Sequence, residues 1–81
     1  MKNIILRGKG QLIGGYCNVD LENDFFESYE NIQCIVVNND GWSPVRGKFK
    51  DNTLKIEAQS MYANNVVDWY VIADKKEDRN L

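Results

Sequence analysis

Asp20, Glu22, Asn23 and Asp24 bring four oxygen-bearing side chains together within one short stretch. Paired carboxylates at this spacing are what a general acid and base would use, or what a calcium loop would offer. The stretch has no Ser, His or Lys beside it to complete acid–base chemistry. It also lacks the glycine and terminal glutamate of an EF-hand loop. The chain contains no histidine at all, which removes Ser-His-Asp and Cys-His catalysis together with every His metal site. Cys17 and Cys34 stand seventeen positions apart with no further Cys or His, so no zinc pattern exists. Two cysteines make no disulfide framework, and both read as reduced, largely buried thiols. Gly8-x-Gly10 lacks the third glycine and the following helix of a dinucleotide fingerprint, and reads as flexibility at the entry to a strand. The expectation is therefore a chain that is not an enzyme, with no catalytic residue, no metal ligand and no cofactor.

Aromatic and charged residues carry more. Trp42 follows a turn, and Met61 and Tyr62 lie in a loop from Gln59 to Asn65. Exposed Trp, Tyr and Met with an arginine nearby are typical anchors of protein interfaces. Between Lys9 and Arg46 there is no Lys or Arg, while Asp20, Glu22, Asp24, Glu27, Glu30 and Asp40 fall in that interval. Arg46, Lys48, Lys50 and Lys55 then cluster on one predicted hairpin face. Such segregation suits complementary patches on neighbouring molecules. Four cations on a chain of net charge −2 are a weak field for nucleic acid, and none is expected as a partner. The candidate interface residues are thus Trp42, Arg46, Lys48, Met61 and Tyr62.

The elements that must position these residues are strands. Leu54, Ile56 and Ala58 alternate with Thr53, Lys55 and Glu57, the period of a half-buried strand. Val45 and Phe49 share one face of the segment from Trp42 to Lys50, and Asp51-Asn52 turns it into the next strand. Ile32–Val37 and Val66–Ala73 are apolar on both faces and predict central strands, with Asp68 the exception and Trp69 in the core. Asn38-Asn39-Asp40-Gly41 is a turn. Lys9–Ile13 and Tyr16–Leu21 flank Gly14-Gly15 as another hairpin, with Cys17, Val19 and Leu21 inward. Asn23 to Glu30 predicts one or two helical turns, crossing between two halves of a sandwich, with Phe25 or Phe26 beside Tyr29. The segment from Asp74 to Leu81 is charged and is expected to fray.

Length sets the scale. An 81-residue chain buries only about 63% of its unfolded surface, which allows one small domain with a thin core. No stretch approaches the roughly 20 apolar residues of a membrane helix, and the start is too short in apolar residues for a signal peptide. The fold expected is all-β: a small antiparallel β-sandwich or barrel of about six strands with one short helical turn, spanning residues 1–81 as a single domain. Thin sandwiches leave edges to manage, and a homo-oligomer is expected.

The order of features resembles a known class. Gly8-Lys9-Gly10 leads a strand that Gly14-Gly15 turns. Val19-Asp20-Leu21 is followed by Phe25 and Phe26. Gly47-Lys48 and Asn52-Thr53-Leu54 come later, and Val67-Asp68-Trp69-Tyr70-Val71-Ile72-Ala73 closes into charged Asp74-Lys75-Lys76-Glu77-Asp78. Over most of its length the chain resembles the small β-sandwich modules of tailed-bacteriophage virion structural proteins, of decoration or fibre type. The resemblance implies sandwich geometry and oligomeric assembly on a particle, and it carries over no catalytic residue. With no coiled-coil or collagen-like shaft, the chain departs from fibre proteins and points to a free-standing virion part.

The reading that follows is a virion structural protein made in the host cytoplasm. Its expected form is a capsid decoration (cement) protein, whose partners are the major capsid protein or other virion subunits. Two alternatives stand beside it. One is a lectin-like module of a tail, baseplate or fibre, stacking sugar on Trp42 and Tyr62. The other is a small phage inhibitor of a host defence protein, using the acidic stretch from Asp20 to Glu30.

Overall fold

Val67, Val71 and Ala73 are fully buried, while Asp68, Tyr70 and Ile72 between them point the other way. This alternation runs through β6 (Val66–Lys75), the middle strand of a three-stranded antiparallel sheet. The computed structural model describes residues 3–76. On one side of β6 lies β1 (Asn3–Gln11), in register from Asn3 opposite Asp74 to Gln11 opposite Val66. On the other side lies β3 (Tyr29–Val37). A second antiparallel sheet has β5 (Thr53–Ala58) at its centre, between β2 (Tyr16–Asp20) and β4 (Val45–Lys50). The fold is all-β, with six strands in two sheets and one short helix, α1 (Phe25–Ser28), among the described residues.

The inner faces of the two sheets supply one core. Leu12, Phe25, Leu54, Ile56, Val67, Val71 and Ala73 are buried, and Cys17, Val19, Cys34, Val36, Val45, Phe49 and Trp69 pack around them. Each fully buried Leu, Ile, Val or Phe contributes roughly 1.5–3 kcal/mol of apolar transfer free energy. Helix α1 crosses between the sheets from β2 to β3, as its position in the chain predicts. Its Phe25 ring packs 4.9 Å from Tyr29 and edge-on to Phe26, and Phe26 meets Phe49 edge-on at 5.4 Å. Four helical residues cannot hold themselves. This aromatic cluster fixes them.

The β4–β5 hairpin forms where its sequence places it. Asp51 takes the left-handed conformation (φ 54°) that a tight turn requires. The strand begins at Val45, however, and Trp42 lies before it in an irregular loop. Four further expectations are corrected. Ile32–Val37 belongs to an edge strand, and only β6 is central in its sheet. The outer face of β3 is apolar yet uncovered, with Ile35 exposed. Gly14-Gly15 does turn the chain, with both residues at positive φ and Ile13 bridging Tyr16. Beyond that single bridge the flanking strands part into different sheets, since β1 pairs with β6 and β2 with β5.

Gly8 and Gly10 are not entry flexibility either. They sit inside β1, where a Cβ would come within 2.6 Å of the Trp69 ring and 2.6 Å of Cys17 Sγ respectively. Finally, the charged segment from Asp74 does not fray at its start. Asp74 pairs with Asn3, Lys75 pairs with Tyr29, and the Lys76 N–H donates to the Ser28 carbonyl. Residues 77–81 of that segment lie outside the described residues.

Candidate functional site

Three loops meet at one end of the fold. The turn after Leu12 leans on the loop before β6. The Gly15 N–H donates to the Ala63 carbonyl at 3.0 Å, and the Gly14 N–H donates to Asn64 Oδ1 at 2.9 Å. Gln11 Nε2 donates to the Asn64 carbonyl. The loop between β3 and β4 joins through Ser43, whose Oγ accepts from the Ser60 N–H at 2.9 Å. Asn65 Nδ2 donates to Asn38 Oδ1 at 2.6 Å, and Asn38 Nδ2 to the Ser43 carbonyl at 2.7 Å. Asn, Ser and Gly fill these loops because they accept tight backbone angles and return hydrogen bonds to neighbouring chain. The end is therefore a laced platform rather than three independent loops.

Large apolar side chains stand on this platform in water. Trp42 is 102% exposed, Tyr62 83% and Ile13 74%, with Met61 and Tyr16 also exposed. Single exposed hydrophobes need no explanation, but a gathering at one end marks an interaction surface. Trp42, Ser43, Pro44, Gln59, Ser60 and Tyr62 line an open groove of about 440 Å³. An adjoining groove of about 340 Å³ shares Pro44 and Gln59 and reaches Arg46 and Glu57.

The structure brings together Trp42, Tyr62 and Arg46 of the five predicted interface residues, with Met61 on the same loop as Tyr62. Lys48 lies two residues further along β4 and does not itself line either groove. Arg46 and Lys48 also share an acceptor, Glu57 Oε1, at 3.2 and 3.8 Å. Their charge is partly answered within the chain. Ile13 and Tyr16 belong to the same end, and sequence reasoning did not single them out. Their signal was faint: two large apolar residues hugging a Gly-Gly turn.

Elsewhere the polar chemistry is sparse. On the outer face of β6, Asp68 accepts from Lys9 Nζ at 2.7 Å and from Asn39 Nδ2 at 3.0 Å. These bonds hold the Asp68 carboxyl below its usual range, and the same pair raises Lys9. Cys17 and Cys34 are free thiols, and burial pushes both up. The Trp69 indole N–H is buried and meets no acceptor among the described residues. Among the described residues, no three Cys, Asp or Glu side chains converge as a metal would need. Nor is any helix among them long and apolar enough to cross a membrane. What the arrangement offers is a surface for binding, an apolar, aromatic end whose groove is mainly apolar with a few hydroxyl and amide groups along it.

No family model matches the chain, and neither the curated proteins nor the solved structures contain a match to it.

Proposed function

We propose that the chain is a non-enzymatic bacteriophage virion structural protein, a capsid decoration protein that clamps neighbouring capsid subunits. The observation that carries the binding role is the set of exposed apolar side chains, Ile13, Tyr16, Trp42, Met61 and Tyr62, held on one hydrogen-bonded platform. The sequence resemblance to tailed-phage β-sandwich modules supplies the virion setting. Binding energy alone is the mechanism. About 400 Å² of apolar contact per copy gives on the order of 10 kcal/mol gross, much of it offset by association costs. Anything that binds only the assembled lattice stabilises it by mass action.

Quantitative mass spectrometry of purified particles tests this reading. A ratio to major capsid protein near one, or a simple fraction of it, is expected. A few copies per particle would move the protein to the tail or baseplate, and complete absence would overturn the virion role.

A second reading rests on the groove itself. Trp42 and Tyr62 face a cleft edged by Ser43, Gln59, Ser60 and Asn65, which is the mixture of ring faces and amide or hydroxyl groups that holds sugars. A lectin-like tail module would show hits on a glycan array that vanish in Tyr62→Ala.

A further inference from the structure

The edge of β1 is the other unusual surface. Native edge strands are commonly protected by proline, a bulge, an inward-pointing charge or a covering loop. Among the described residues, Asn3-Ile4-Ile5-Leu6-Arg7 has none of these, and its one charge, Arg7, lies on the outer face. Its register with β6 is unbroken, and among the described residues β1 has no ladder partner on its other side. Ile5 is 65% exposed on the outer face, and Leu6 is exposed on the inner one. A strand apolar on both faces and unpaired along one edge is a template for a further strand.

We propose that this edge pairs with the same edge of a second copy, antiparallel about a two-fold axis at Ile5. Self-complementarity argues for a copy rather than a foreign strand. In this register Ile5 faces Ile5 across the axis on the outer face, and Leu6 faces Ile4 on the inner one. Arg7 falls opposite Asn3, whose neighbour across the sheet is Asp74. Arg7 has no acidic partner among the described residues, and neither Asp74 nor its cross-strand neighbour Glu30 meets a cation there. The pairing thus turns a cation toward two carboxylates. The two three-stranded sheets become one of six strands. Ile72 and Tyr70, which lie beside β1 on the outer face, with Ile35 beyond Tyr70 on β3, continue the apolar band away from the axis. The two loop ends point away from each other, so the dimer has a binding platform at each extremity. The inference stands independently of what those platforms bind.

Sedimentation equilibrium of the full chain tests it, across roughly 10 µM to 1 mM. The expected mass at the upper end is twice the 9.4 kDa of one chain. Ile5→Lys sets like charges against each other at the axis and weakens dimerisation at least about tenfold, with the circular dichroism spectrum unchanged. Trp42→Ala leaves the mass as it was. Register is read by cross-linking in a Cys17→Ser, Cys34→Ala background. Ile5→Cys forms a disulfide-linked dimer on mild oxidation, because Cβ atoms of directly opposed residues lie about 4.5–5.5 Å apart. Arg7→Cys alone does not. A monomer throughout the concentration range overturns the proposal, as does a dimer that survives Ile5→Lys or is lost in Trp42→Ala.

Discussion

The indole of Trp69 lies against the bare backbone of Gly8: a Cβ on Gly8 would come within 2.6 Å of the ring's Cζ2 and 2.9 Å of Cε2. The two residues are direct cross-strand partners in β1 and β6. Replacing a strand glycine by alanine ordinarily gains roughly 0.5–1 kcal/mol through the unfolded chain. Here the ring would have to move within a packed core, at about 1–3 kcal/mol. Gly8→Ala is therefore expected to destabilise on balance, by on the order of 1–2 kcal/mol. Urea unfolding followed by tryptophan fluorescence measures it. A variant as stable as the parent would remove this packing account.

The loop end separates what binds from what holds. Trp42→Ala and Tyr62→Ala remove exposed side chains and should change stability by no more than about 0.5 kcal/mol while abolishing partner binding. Asn65→Ala breaks the bond to Asn38 Oδ1 and leaves part-buried groups unpaired, which costs roughly 1–3 kcal/mol. Amide exchange at Ser60–Ala63 should quicken in Asn65→Ala and stay at the parent rate in Tyr62→Ala. The opposite pattern would contradict the laced-platform description.

The Lys9–Asp68 pair gives a pH signature with a defined sign. Asp68 is depressed, so its contribution is present above the usual aspartate range and is lost as pH falls through the folded value. Lys9 is raised, so its contribution is present below the usual lysine range and is lost as pH climbs through the folded value. The pair is intact from about pH 4 to pH 10. Lys9 is solvent-exposed and Asp68 half-buried at the surface, and the effect on stability is small and salt-sensitive. In Lys9→Met, an NMR titration of the Asp68 carboxyl should move upward, while the Asn39 bond keeps it below an unstructured aspartate. An unmoved midpoint would show that the ion pair does not persist in solution.

Cys17 and Cys34 face the interior from opposite sheets, and burial raises both thiols. The thiolate is the reactive form, so alkylation at pH 7 should be slow in the folded chain and fast in urea. Intact mass after reagent exposure counts the modified thiols. Rapid double modification without denaturant would place these side chains outside the core.

Inside and outside were legible wherever apolar and polar residues alternate strictly. Leu54 and Ile56 are buried as their period requires, and Val45 and Phe49 face inward, half-buried against them. Ile32–Val37 and Val66–Ala73 carry the same two-sided apolar pattern, yet one is an edge and the other a centre. A pattern of this kind says only that both faces carry apolar side chains. It does not say whether the neighbour is a strand of the same chain. Partner choice was equally hidden at Gly14-Gly15, because the turn is local while the pairing of β1 with β6 spans almost the whole chain. Of the loop end, Trp42, Met61 and Tyr62 were visible as aromatics and Met in turn-rich sequence. Ile13 was not, since a single isoleucine after a strand reads as its last inward residue.

The position of β6 in the chain sets a timetable. β2, β4 and β5 are complete once Ala58 has been made, but the other sheet has its centre in the last strand. At roughly 5–20 residues per second, the stretch from Gln11 to Lys75 takes on the order of 3–13 s to synthesise. For that interval Ile4, Ile5 and Leu6 have no strand to lie beside, and a nascent chain in this condition is a ready client for chaperones that hold extended apolar segments. Of the described strands, β1 is thus the earliest made, and with β3 it gains its partner only when β6 is complete.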